Sequence, residues 1–385
     1  MTAQTITGTV VTARGEFPDH TVVHRDGTIT GVRPAQPGEV SSGLRLVPGF
    51  VDVHNHGGLR GSFPDGSLDE CRAAARFHRS HGTTTLVASL VSARAGHLLT
   101  QVPRLADLAE EGEIAGIHLE GPFVNVGKCG AQDPAAIIPG DPDLFARLLT
   151  AGRGHVRSIT FAPETAHVTE LLDLCAEHGV IASLGHTEAT AEQTAQVIDA
   201  AVDKGVTVTA THLFNAMPAL HHRAPGAAAA LLTAAAQGRV HVELIADGVH
   251  LADATVDMVM AAVGGAALLV TDAMQAAGMP DGDYTLGTLD VQVQDGVARL
   301  RTADGSPGAI AGGTSTLAGQ VARHLRRGVS LPRLVAATAT APARVLGRAD
   351  HLGDLAPGHR ADVVGIDETG AVRRVISRGI TIEQN

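Results

Sequence analysis

One alternation restricts this chain more than any other feature. Apolar, strand-like runs recur at 46–56, 83–90, 114–123, 156–164, 180–187, 206–215, 240–250 and 267–273. Between most of them lies a stretch of helical composition, such as LDECRAAARFHRSHG or TEATAEQTAQVIDAAVDKG. A helix after each strand carries the chain back, so successive strands lie parallel. Eight such units in about 300 residues predict an α/β chain built as a (β/α)8 TIM barrel. A doubly wound sheet is the alternative. The stretch 284–300 interrupts the pattern and reads as a small hairpin inserted after the eighth strand.

The two ends differ from the middle. Residues 1–49 read as short strands with turns, Arg25-Asp26-Gly27 being the turn between two β-branched runs. The tail from about 352, DLAPGHRADVVGID then AVRRVISRGITIEQ, repeats that style. Neither end carries enough apolar surface alone, so the two are expected to pair into one small β module.

Composition narrows the function. Lys and Arg number 29 against 40 Asp and Glu, a net charge of −11, and there is no Trp and one Tyr. An acidic chain without basic tracts or stacking aromatics is expected to bind neither nucleic acid nor a membrane surface. Cys71, Cys129 and Cys175 stand at no metal-like spacing and suit a reducing compartment. The N-terminus has no basic region ahead of a long apolar run, so no signal peptide is expected, and the default location is cytoplasmic.

The chemistry is written at the strand ends. Asp52-Val-His54-Asn-His56-Gly-Gly closes the first run. Strand side chains alternate, so His54 and His56 share a face and can ligate one divalent ion. Gly116-Ile-His118-Leu-Glu120 closes the third; a buried carboxylate there is costly without a cation, which makes Glu120 a candidate ligand, with His118 behind it. LGHT and THLFNAM place His186 and His212 at the ends of the fifth and sixth runs, and LVTDA places Asp272 at the end of the eighth. All six lie at the C-terminal rim, where barrel enzymes carry their chemistry. Nitrogen and oxygen donors without sulfur suit Zn, Fe(II), Mn or Co.

The strings HNHGG, GIHLEGPF, LGHT, THLFNAM, ADGVH and LVTDA, followed by AGGTSTLAG, TATAPARVLG and GDLAPGHRADVV, resemble the N-acetylglucosamine-6-phosphate deacetylases of the amidohydrolase superfamily over nearly the whole chain. The resemblance implies a metal-dependent barrel at 50–345 and a β-sandwich made from 1–49 and 346–385. It implies hydrolysis of the N-acetyl group of an amino-sugar phosphate, in amino-sugar catabolism or recycling. By the same resemblance Glu120, His186 and His212 hold the principal ion. His54 and His56 take a second, with Glu120 bridging, so one or two ions are expected per subunit, zinc first. Asp272 is the acid/base and a metal contact. Asn215, Ala216 and His250 contact the sugar phosphate. Arg223 reaches the phosphate in the neighbouring subunit of a homodimer. This loop departs from the resemblance: Gln132 stands where many members have His, and Cys129, beside Lys128, is unusual there, read either as an inert loop residue or, with Lys128, as a lid over the site.

Three other readings compete. Dihydroorotases, hydantoinases and deaminases commonly bridge two metals with a modified lysine on strand four, but strand four here, VRSITFAPE, has none. A catalytically inactive homologue would be expected to have lost its ligands. A metal-free sugar-phosphate barrel gives the strand-one pair no purpose.

Overall fold

The computed structural model describes residues 3–383. Eight strands form one sheet in chain order: Phe50–Asn55, Thr83–Leu90, Gly116–Glu120, Val156–Phe161, Ile181–Leu184, Val208–Ala210, His241–Leu244 and Ala267–Leu269. Each falls inside its predicted run. The ring is closed by a parallel bridge from Asn55 to Ala273, flanked by Asp272 N–H to His54 O (3.0 Å) and His56 N–H to Ala273 O (2.7 Å). This is the TIM barrel expected from the alternation. The first two strands are buried along their whole length, as parallel strands covered on both faces must be.

A helix lies between each successive pair of these strands, and local chemistry starts several of them. Asp141 accepts from Leu144 N–H, with Pro142 beside it, to open Pro142–Ala151, which buries Leu144, Phe145, Leu148 and Leu149 along one face. Thr190 and Gln193 cap Ala191–Asp203 reciprocally.

By contact density the chain divides into Met1–Asp52 with Arg76–Leu86 and Ser315–Asn385, and Val53–Ala75 with Val87–Thr314. The first unit holds the β-sandwich part, built on a seven-stranded sheet. Its strands run, in spatial order, Ile380–Ile382, Val372–Ser377, Val363–Ile366, Arg45–Pro48, Gln4–Thr12, Gly15–Arg25 and Thr28–Pro34. The termini meet where Val363–Ile366 pairs antiparallel with Arg45–Pro48. Ile6, Val10, Val22, Ile29, Leu46, Val363 and Ile376 make the apolar core of this sheet. Asp26 and Gly27 both have positive φ, 50° and 79°, which is the tight hairpin turn that Asp-Gly favours.

The insertion after the eighth barrel strand is larger than expected. In place of a small hairpin at 284–300, four antiparallel strands form a meander: Gly282–Leu286, Leu289–Gln294, Val297–Arg301 and Pro307–Ile310. Tyr284, Leu286, Val291, Val293 and Ala298 turn one face onto Met274 and Ala311. The fourth strand opens on Pro307, which cannot donate a ladder hydrogen bond and is tolerated only at an edge. No helix among the described residues is long and apolar enough to cross a membrane.

Candidate metal centre and active site

Six side chains from five barrel strands meet at one rim. His54 lies at the end of the first strand with His56 just after it, and Glu120 ends the third. His186, His212 and Asp272 follow the fifth, sixth and eighth by two or three residues. All six are buried. They form two triplets of potential ligands, His54–His56–Glu120 and Glu120–His186–His212. One carboxylate serves both. Glu120 Oε1 lies 2.8 Å from His186 Nε2 and 3.0 Å from His212 Nε2, while Oε2 lies 3.2 Å from His56 Nε2 and 3.7 Å from His54 Nε2. Asp272 Oδ1 adds contacts of 3.1 and 3.4 Å to His56 and His54.

The hydrogen bonds behind the rings test whether a cation fits. Nδ1 of His54 faces Glu243 Oε2 at 3.0 Å, Nδ1 of His56 faces Ser89 O at 3.1 Å, and Nδ1 of His186 faces Lys128 O at 2.8 Å. All three partners only accept, so each Nδ1 carries the proton, and a neutral ring then presents a lone pair at Nε2. Yet the Nε2 atoms of His54 and His56 stand 3.1 Å apart, as do those of His186 and His212. At the His54–His56 pair the two lone pairs aimed at each other repel, and a shared cation removes the conflict; His212 Nδ1 has no hydrogen-bond partner among the described residues, so the tautomer of that ring is not fixed in the same way. Ligands around a tetrahedral zinc at ~2.05 Å lie about 3.3 Å apart, close to these spacings. The residues present fit a divalent metal.

The field inside the cluster is negative and favours a cation, whether a proton on the rings or a metal ion between them. Burial opposes charge on His54 and His56, but the carboxylates of Asp272 and Glu120, with Glu243 for His54, outweigh it and hold both pKa values above the ordinary imidazole value. Burial would raise the Glu120 and Asp272 carboxyls, yet the surrounding imidazoles hold both well below the usual carboxylate range.

A belt of hydroxyls inside the barrel supports the cluster. Thr209 donates to Ser183, Ser183 bonds Thr211, and Thr211 bonds Thr160 (2.6–2.9 Å). His118 spans Thr160 and Ser89, at 2.8 and 2.9 Å, and stacks edge-on against the His54 ring. Burial and the neighbouring imidazoles hold the His118 pKa well below its ordinary value, so it packs against the centre as a neutral ring. It touches no candidate ligand through a hydrogen bond among those described. The backbone also bends to aim the donors. His186, His212 and Asp272 all have left-handed φ, at 48°, 25° and 47°. That region costs a non-glycine residue of order 1–3 kcal/mol and persists only where surrounding structure enforces it. Gly313 supplies part of that enforcement. Its N–H donates to Asp272 O at 2.6 Å, and a Cβ there would stand 2.3 Å from Thr271 O.

A cavity of about 210 Å³ opens over these groups. Its lining includes Gln132, Asn215, Ala216 and His250 together with His56, Glu120, His186, His212 and Asp272. Gln132 Oε1 accepts from Ser92 N–H, and its Nε2 lies 3.4 Å from His186 Nε2. Arg223, Lys128 and Cys129 do not line it. Arg223 is exposed, with its guanidinium against His222. The Lys128 ammonium lies 3.7 Å from Glu188, although the Lys128 carbonyl holds His186. Two carboxylates at the site carried no expectation from the sequence. Asp247 grips His250 Nδ1 at 2.8 Å, and that imidazole with two backbone N–H groups holds the Asp247 pKa low against the upward push of burial. Glu243 holds His54 from behind. The signals were an acid three residues before His250 and a charge inside the apolar run VHVELIA.

Known proteins resemble this chain along most of its length. A model of the amidohydrolase family matches residues 45–381. N-acetylgalactosamine-6-phosphate deacetylase of Escherichia coli O157:H7 is 31% identical over 376 residues, 96% of each chain. N-acetylglucosamine-6-phosphate deacetylase of Bacillus subtilis is 33% identical, covering 91% of this chain and 89% of its own. Among solved structures, an aspartate-to-alanine variant of N-acetyl-D-glucosamine-6-phosphate deacetylase from Mycobacterium smegmatis, in complex with N-acetyl-D-glucosamine-6-phosphate, superposes with a TM-score of 0.91 at 39% identity over 99% of both chains. With the family model spanning most of its length, this chain belongs to the amidohydrolase family.

Proposed function

We propose that this chain is a metal-dependent deacetylase that hydrolyses N-acetylglucosamine 6-phosphate to glucosamine 6-phosphate and acetate, in amino-sugar catabolism or recycling. The observation that carries the reading is the pair of ligand triplets sharing Glu120, with Asp272 beside them at the cavity floor. Relatives named for this reaction support it. The epimeric substrate, N-acetylgalactosamine 6-phosphate, is the second reading, favoured by the E. coli relative.

His54, His56, Glu120, His186, His212 and Asp272 would hold one or two divalent ions, zinc first, with Fe, Mn or Co able to replace it. When bound, such an ion acidifies water and polarises the amide carbonyl. Asp272 acts as the catalytic base and acid. Its contacts to the imidazoles run through Oδ1, which leaves Oδ2 to take a proton from the attacking water and deliver it to the departing amine nitrogen. His250, fixed by Asp247 with its proton on Nδ1, offers Nε2 as an acceptor to a sugar hydroxyl. Gln132, Asn215 and Ala216 line the sugar side of the cavity.

The net charge of −11 repels a phosphorylated substrate, so local donors must hold it. Arg223 is proposed to do this from the neighbouring subunit of a homodimer, because guanidinium matches phosphate bidentately. Lys128 and Cys129 form the lid. Residues 50–345 are the catalytic part, between the sandwich halves 1–49 and 346–385. Free thiols at all three cysteines favour a cytoplasmic location.

The test is acetate release from both N-acetylated hexosamine 6-phosphates on protein of measured metal content. Turnover of neither sugar phosphate by metal-replete protein sinks the reading.

A further inference from the structure

Glu243 has no part in the reaction derived above, yet it is a carboxylate in the interior of a barrel strand, 4% exposed. Such a group is costly unless its oxygens are used. Here one oxygen is used twice. Glu243 Oε2 accepts from His54 Nδ1–H at 3.0 Å and from the backbone N–H of His212 at 3.1 Å. The Glu243 main-chain carbonyl accepts from Leu213 N–H at 2.8 Å. The segment it pins is the one with left-handed φ at His212, Phe214 and Ala216.

The three ring-orienting bonds differ in kind. His56 and His186 lean on neutral backbone carbonyls, whereas His54 leans on a carboxylate. A carboxylate behind a ligating histidine fixes the ring, sets the proton on the far nitrogen and raises the basicity of the near one. It also ties the first strand to the sixth, and thereby one ligand triplet to the other.

We propose that Glu243 is the positioning residue of the His54–His56–Glu120 triplet, and that the second metal ion depends on it far more than the Glu120–His186–His212 ion, whose His212 it reaches only through the backbone N–H. The proposal rests on reading the cluster as a metal centre and is independent of the substrate.

The test titrates the full chain, stripped with a chelator, with Co(II) and reads visible absorption, with thermal melting to confirm folding. Wild type is expected to take up two ions. Glu243→Leu, similar in volume but without an acceptor, is expected to keep one ion and bind the other about 10–100-fold more weakly. Glu243→Gln keeps an acceptor oxygen at the same reach and is expected to recover most of that loss. A role in packing alone predicts the reverse order, because leucine fills the strand interior better than an amide.

Two ions held by Glu243→Leu with wild-type affinity overturn the proposal. So does a glutamine variant no better than leucine, or a wild type that takes up only one ion. A wild type that takes up none refutes the metal centre itself, which is a separate failure.

Discussion

Replacing Asp272 with asparagine separates metal binding from proton transfer. The carboxylate reaches the imidazoles through Oδ1, 3.1 Å from His56 and 3.4 Å from His54. Asparagine keeps an oxygen in that place, and His54, His56, Glu120, His186 and His212 remain, so bound metal should persist. An amide cannot accept the water proton at its other atom. A positioned acid or base contributes about 10²–10⁴ in rate, which is roughly 2.7–5.4 kcal/mol of barrier. Asp272→Asn should therefore lower kcat at least ~100-fold with little change in KM, the pattern of a group that works only in the transition state. The assay is steady-state acetate release, with metal counted on the same preparation by elemental analysis. A variant with full metal content and a kcat within about threefold of wild type would falsify the role of Asp272. Loss of metal together with activity would show that it serves as a ligand first.

Glu120→Gln should strip both triplets at once, since breaking a buried charge pair costs ~3–5 kcal/mol, or about 100-fold or more in affinity per ion; elemental analysis after dialysis reads it. Arg223→Ala should raise KM for the phosphorylated sugar far more than for its unphosphorylated counterpart, and equal effects would remove Arg223 from phosphate recognition. Cys129→Ala should alter kcat or KM if the loop from Lys128 closes over substrate; unchanged constants rule out a lid thiol. Burial pushes the Cys71 and Cys175 thiols up to about 12, so neither forms thiolate near neutral pH. A thiol reagent at pH 8 should therefore label one cysteine per native chain, Cys129, and three after denaturation, as counted by mass spectrometry.

What could be read from the sequence follows from the range of each interaction. The barrel strands were legible because each is a continuous apolar run bounded by helical composition. The ligands on the first and third strands were legible because a strand's period of two assigns faces without further information. The meander at 282–310 was undersized because its last strand, Pro307–Ile310, lacks both alternation and β-branched residues before Ile310. Glu243 escaped notice because its partners are 189 and 31 residues away, and only closure of the barrel brings them together. Asp247 and His250 sit three apart in a loop with no periodicity to show that they touch. Arg223 could be singled out by resemblance alone, and it is exposed in this chain.

The left-handed backbone at His186, His212 and Asp272 sets heat resistance against turnover. Glycine or asparagine would sit more comfortably at all three positions, and each would remove a group from the centre. Directed evolution that scores survival at high temperature alone would drift toward those replacements and arrive at robust but inert proteins. Selection for a hardier catalyst has to read product formation in every round and look for its gains elsewhere, in the outer helices and the seven-stranded sheet.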